Sequence, residues 1–185
     1  LLPITIYKNR LYFLFGKEND MEDSAKGWSD FGGRVEKDEN IYEGALREGS
    51  EEMTGFLGDP RELRALIKKN GGTFKLELNK YHVHFFYLPY DKNLTTYYNN
   101  NHKFLWNRMN HNVLNKTRLF EKIEINWFSE TEMMDRIGEF REFYQEFVKM
   151  FNENKKELKD FVREKMMKNY KNRTVTVSYT HLTLP

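Results

Sequence analysis

The chain has 185 residues, 39% of them hydrophobic and 16% aromatic, which suits one domain with a core of its own. It contains no Cys, so disulfides, thiolate metal sites and Cys nucleophiles are excluded. No apolar run of about 18 residues marks a membrane span, and no signal segment opens the chain, so the default expectation is a soluble, intracellular, cytoplasmic protein. The net charge of +2 hides an asymmetry: residues 1–60 carry 7 Lys+Arg against 13 Asp+Glu, a balance of −6, and the remainder 23 against 15, or +8. An acidic half joined to a basic half suits an anionic substrate, although a basic, solvated C-terminal helix accounts for much of the excess.

Ile4–Tyr7 and Leu11–Phe15 are apolar, β-rich runs joined by Lys8-Asn9-Arg10, the pattern of a hairpin. The charged stretch Lys17–Lys26 reads as a loop. Trp28–Phe31 leads into Gly32-Gly33, where glycine permits a tight turn and close backbone approach. Asn40 with Glu43 three residues on is a variant capping box, and a helix is expected from about Ile41 to Thr54. Glu48, Glu51 and Glu52 then share a face with Arg47 beside them. Three clustered carboxylates repel one another and a single Arg cannot neutralise them. A hard divalent cation can, because Mg²⁺ prefers oxygen ligands and keeps positions open for water and phosphate. Solvated Glu-rich helices are common, however, so the carboxylates alone would not carry this reading.

The joint spacing does carry it. Gly33, Glu39, Arg47, Glu48, Glu51 and Glu52 stand as Gly, five residues, Glu, seven residues, Arg-Glu, two residues, Glu-Glu. This resembles the Nudix box, the signature of enzymes that hydrolyse a nucleoside diphosphate linked to another group. Two positions depart from it: Gly49 replaces an apolar residue, and the closing glycine comes one place late, at Gly55. The resemblance implies an α/β class, Nudix-type α/β/α sandwich with a mixed sheet and a long C-terminal helix. It also implies substitution at phosphorus by water activated on Mg²⁺ or Mn²⁺. By the same resemblance Glu51 and Glu52 are metal ligands, Glu48 shares the site, and Gly32 contributes its carbonyl. Arg47 would orient the acids by ion pairing and Glu39 would support the loop and that Arg. Arg34 could reach a phosphate or make a surface ion pair.

Further along, Pro60 starts a helix to about Lys69, ended by Asn70-Gly71-Gly72. Tyr81–Leu88 is the strongest strand, with Val83, Phe85 and Tyr87 facing opposite His82, His84 and Phe86. His82 and His84 have metal-compatible spacing without a third His or Cys; the alternative is a polar sheet face lining a substrate cleft. Asp91–Arg118 is long for a connection between strands. Its Tyr97, Tyr98, Phe104 and Trp106, with Lys103, Arg108, Lys116 and Arg118, could stack on bases and meet phosphates, or pack a short helix on the core. Lys122–Phe128 is expected as a strand with Ile123, Ile125 and Trp127 on one face. Many Nudix enzymes take a further Glu from outside the box as ligand or base. Glu121 and Glu124 occupy the right region on opposite faces, and Glu121, at a loop–strand junction, is preferred.

Ser129 and Glu132 form a capping box for a long helix whose stripe of Phe140, Phe143, Tyr144, Phe147, Val148 and Phe151 is core. The expected domain is 1–168 with a tail over 169–175. Residues 176–185 resemble translated adapter sequence, leaving His181 without functional weight, and both ends read as cut.

The segments around Trp28–Arg34, Arg47–Glu52, Gly55–Gly58 and Phe120–Phe128 resemble the Nudix proteins of large DNA viruses, whose activities include mRNA decapping and cleavage of diphosphoinositol polyphosphates and nucleotides. Three expectations follow: a decapping hydrolase acting on capped RNA in the cytoplasm (of the host, if viral), a small-molecule diphosphatase acting on nucleotides or diphosphoinositol phosphates, or a non-catalytic binding domain that keeps the fold.

Overall fold

The structure is a computed structural model that describes residues 1–19, 26–110, 112–114 and 121–180, with the backbone alone over 171–180. Two strands open it, β1 (Leu2–Tyr7) and β2 (Arg10–Glu18). They pair antiparallel with Tyr7 opposite Arg10. Lys8 and Asn9 between them both take positive φ, 47° and 63°. Two successive left-handed residues match the twist of the flanking strands, which is how a two-residue hairpin closes. β2 runs on to Glu18, so the charged loop expected from Lys17 begins later; residues 20–25 lie outside the described residues.

β2 organises the sheet. It pairs antiparallel with β1, with the short β3 (Trp28–Ser29) and with β6 (Lys122–Ser129). β1 runs parallel to β5 (Tyr81–Tyr87), and β5 pairs antiparallel with β4 (Thr73–Leu78) through Asn79 and Lys80, again both at positive φ. The result is a mixed sheet in a mixed α/β fold.

Alternation along the strands feeds two separate apolar clusters. Phe13, Phe15, Val83 and Phe85 belong to one, together with Phe147, Val148 and Phe151 of α5 (Gln145–Glu153) and Leu158 and Val162 of α6 (Lys155–Thr180). Leu14, Phe86, Ile125 and Trp127 belong to the other. They pack with Leu46 of α1 (Ile41–Glu52), Leu63 and Ile67 of α2 (Pro60–Lys69), and Tyr98 of α3 (Lys92–Arg108). Each fully buried side chain of this size contributes about 1.5–3 kcal/mol. Among the described residues no helix is long and apolar enough to cross a membrane.

Three expectations are corrected. The stretch after Ser129 is not one long helix. The capping box with Glu132 is present, but it starts only the short α4 (Glu130–Asp135). Two 3-10 turns, Ile137–Glu139 and Glu142–Tyr144, follow before α5 begins. Gly138 lies in that break, where low helix propensity permits it. Trp28 bridges to Phe140 there, and Arg141 donates its backbone N–H to the Trp28 carbonyl. Phe143 of the expected stripe is 46% exposed rather than core.

The second concerns 91–118, where of the two readings it is the packed helix that is found, α3 filling Lys92–Arg108 and packing on β6. Lys116 and Arg118 lie outside the described residues, as do Phe120 and His181.

The third is the register of β6. Lys17 pairs with Glu124, but Glu18 pairs with Lys122, so Ile123 is an extra residue on β6. Such a bulge reverses alternation beyond it. Ile125 and Trp127 share the second cluster, Ile123 is only half-buried, and Lys122 turns inward to be completely buried.

Candidate active site

The acidic helix and the glycine turn close on one another. Asn40 caps α1 by accepting from the Tyr42 and Glu43 N–H groups, and Glu43 returns a carboxylate oxygen to the Asn40 N–H at 3.2 Å. α1 ends at Glu52, followed by Thr54 and Gly55 at φ 53° and 70°. Thr54 stands where the motif has glycine, and it adopts the left-handed conformation that glycine would supply. The Gly49 departure also has a packing reason. A Cβ there would lie 2.7 Å from Leu1 Cδ1, so a side chain at this position would have to displace that of Leu1.

Arg47 is the hub. Its Nε and one terminal nitrogen donate to the two Glu39 oxygens at 2.7 and 3.2 Å. The other terminal nitrogen donates to Glu48 Oε1 at 2.9 Å and Glu51 Oε2 at 3.2 Å. The Arg34 carbonyl accepts a further bond at 2.9 Å. The bonds from Arg47 hold the Glu39 carboxyl below its usual range, and the same contact raises Arg47 further. A Cβ on Gly33 would stand 2.5 Å from the Glu48 carboxyl group, so any larger residue here would push that carboxyl aside.

Glu52 faces inward. Its Oε2 accepts from the Gly32 N–H at 2.8 Å, and its Oε1 lies 3.4 Å from Lys122 Nζ. Burial pushes its carboxyl up to about 8, against the pull of Lys122. Lys122 also contacts Glu18 and donates to Ser29 Oγ at 2.9 Å, while Arg141 reaches the same Glu18 oxygen at 2.9 Å. Burial works to lower the Lys122 ammonium, but Glu52 and Glu18 outweigh it and hold it above its ordinary range. Gly16 makes room: a Cβ would lie 2.9 Å from the lysine stem. The Tyr98 hydroxyl lies against the Glu52 and Lys122 carbonyls, at 3.0 and 2.9 Å.

Glu48, Glu51, Glu52, Arg47, Glu39 and the Gly32-Gly33 turn are thus brought together. The Glu121 carboxylate lies within electrostatic reach of Glu52, and its backbone carbonyl accepts from Asn19. Glu124 is not at this place, since its charge acts on Arg136. Arg34 is exposed and brings only its carbonyl to Arg47. His82 stands opposite Glu77, with Nδ1 3.0 Å from that carboxylate. His84 is buried against the Tyr42 ring, at the opposite end of α1 from Glu52, and burial lowers it to about 4. The two histidines therefore do not join the carboxylates.

Lys122 and Glu18 were not legible as site residues, and Tyr98, a candidate for stacking on bases, is instead buried beneath the site. No sequence signal marks Lys122: it stands between Glu121 and Ile123, and only the shifted pairing with Glu18 brings it inward.

Among the described residues no three His, Asp or Glu side chains form a ready-made metal cage. The donor chemistry nevertheless suits a hard cation: three carboxylates and a carbonyl are all-oxygen ligands. Glu52 differs from the other two in being buried, and burial raises its carboxyl even with Lys122 3.4 Å away. A separate cavity of about 760 Å³, lined by Tyr42, Arg64, Lys68 and Lys168 among others, opens between α2 and the start of β4, away from these acids. No family model, curated protein or solved structure matches this chain.

Proposed function

We propose that this chain is a metal-dependent hydrolase of phosphoric anhydride bonds with a Nudix-type α/β/α fold, and that its substrate is the cap of an mRNA. The observation that carries the reading is the convergence on Arg47. Residues separate in sequence but fixed in spacing, Glu39, Glu48 and Glu51, meet on one guanidinium, with Gly33 against Glu48. A solvated acidic helix would need neither the glycine contact nor the return of the Arg34 carbonyl.

Glu48, Glu51, Glu52 and the Gly32 carbonyl would hold Mg²⁺ or Mn²⁺, which when bound lowers the pKa of water and offsets phosphate charge. Arg47 fixes the direction of Glu48 and Glu51 without touching substrate. The Gly32 N–H and Lys122 fix Glu52 from its two oxygens. Glu121, whose charge acts on Glu52, would be the acid outside the helix that takes a proton from attacking water.

A second reading is a diphosphatase for nucleotides or diphosphoinositol polyphosphates, whose cleavage would use the same carboxylates. The test is incubation with Mg²⁺ or Mn²⁺ and cap-labelled RNA, beside Glu52→Gln, with nucleotides and diphosphoinositol phosphates as competitors. Release of cap nucleoside diphosphate by the parent and not the variant supports decapping. Glu52-dependent cleavage of a competitor alone replaces it with the second reading. No metal-dependent turnover at all would leave a binding domain.

A further inference from the structure

Among the described residues, α3 presents an exposed face to solvent. Tyr97 and Phe104 are 64% and 58% exposed, seven residues apart and so on one side of the helix. Asn100, Lys103, Asn107 and Arg108 are exposed on the same side, and the Arg108 guanidinium sits 5.3 Å from the Phe104 ring centroid. From Tyr97 to Arg108 this stripe runs about 16 Å along the helix axis. Its charge is one-sided. Between Lys92 and Phe120 the sequence contains five Lys or Arg and no Asp or Glu.

The opposite side of α3 is fixed. Tyr98 is anchored on the Glu52 and Lys122 carbonyls, and the Asn99 amide exchanges bonds with the Ile125 backbone at 2.9 and 3.1 Å. The exposed stripe is therefore held rigidly beside the carboxylate site by the same residue that touches Glu52.

We propose that this face of α3 binds single-stranded RNA, with Tyr97 and Phe104 as stacking platforms, Lys103 and Arg108 on phosphates, and the asparagine amides against base edges. Alternating cations and open rings are the chemistry that holds a single strand, since stacking tolerates any base and the backbone needs positive charge. A membrane surface would call for an apolar face in place of Asn100 and Asn107. The placement deepens the decapping reading, on which it rests for the identity of the reaction; the binding does not require turnover.

The test uses the full chain in EDTA and a fluorescent, uncapped, single-stranded 20-nucleotide RNA, followed by anisotropy over a range of salt. Phe104→Ala should weaken binding about tenfold. Lys103→Glu with Arg108→Glu should abolish it at moderate salt and flatten the logarithmic salt slope by about 0.7 for each phosphate no longer neutralised. Both variants should cleave a cap dinucleotide, which lacks an RNA body, as fast as the parent. Parent-like RNA binding by both variants overturns the proposal. So does a loss confined to the charge reversal, because an electrostatic attractor without stacking is a different surface. So does tight binding of anionic vesicles together with weak binding of RNA. If RNA binding depends on α3 while no cap dinucleotide is cleaved, the hydrolase reading fails and the surface stands.

Discussion

Lys122 Nζ and Glu52 Oε1 lie 3.4 Å apart on the floor of the acidic site, with both residues buried. An internal ammonium serves there as a counter-charge for a carboxylate that α1 supplies, and it reaches Glu18 and Ser29 as well. Replacing it leaves two carboxylates in the interior. Lys122→Met is expected to destabilise the fold by about 3–5 kcal/mol, the range for removing one partner of a buried pair. Urea unfolding of parent and variant measures this, and a change below about 1 kcal/mol would show that the network is water-filled instead of closed.

Tyr98 offers a smaller and cleaner test. Tyr98→Phe removes a buried hydroxyl that meets two backbone carbonyls and alters nothing else. The expected loss is about 1–3 kcal/mol, read from denaturant midpoints. Stability equal to the parent would mean that the carbonyls find other donors.

Arg47→Lys keeps the charge but cannot reproduce the two-point contact with Glu39 while reaching Glu48, Glu51 and the Arg34 carbonyl. Metal-dependent turnover and Mn²⁺ affinity should each fall about 10–100-fold, as for the loss of a residue that orients ligands. Limited proteolysis should at the same time cut more readily in the segment between Gly33 and Glu39. Unchanged Mn²⁺ affinity by electron paramagnetic resonance would separate Arg47 from the carboxylates.

Gly33→Ala should be nearly silent in stability and damaging to the site. The added methyl would displace the flexible end of Glu48, not backbone. The expected change in unfolding free energy is within about 0.5 kcal/mol, with Mn²⁺ binding clearly weakened. Equal Mn²⁺ binding would remove Glu48 from the ligand set.

His84 gives a pH signature. Its folded-state pKa is lowered to about 4 by burial, against 6.5 for the free side chain. Between those values the unfolded chain binds a proton that the folded one does not, so stability falls as pH drops from about 6.5 to 4. An imidazole resonance that titrates near 4 in the folded protein, absent from His84→Gln, is the expected readout; titration near 6.5 would place His84 in water.

Local signals were strong where one residue type decides one backbone feature. Asn40 with Glu43 and Pro60 after Asp59 fix the starts of α1 and α2, and the apolar alternation of Val83, Phe85 and Tyr87 fixes β5. The motif spacing likewise brought Arg47 to its partners. The sequence was mute where a tertiary contact decides. α3 has an asparagine run and little periodicity, and Tyr98 and Asn99 hold it to the rest of the fold. The break at Gly138 looks helical until Trp28 claims Phe140 and Arg141. Lys122 reads as an outward strand residue, because alternation alone cannot reveal an extra residue in the ladder.

That extra residue at Ile123 separates place from position. Another chain could share this sheet and its interior ammonium yet differ by one residue there, and its lysine would then fall one step away in any column of aligned letters. The counter-charge beneath the acids would be recognised only by where it sits in space, opposite the last residue of β2, and a single insertion or deletion could hide it or move it to the solvent side.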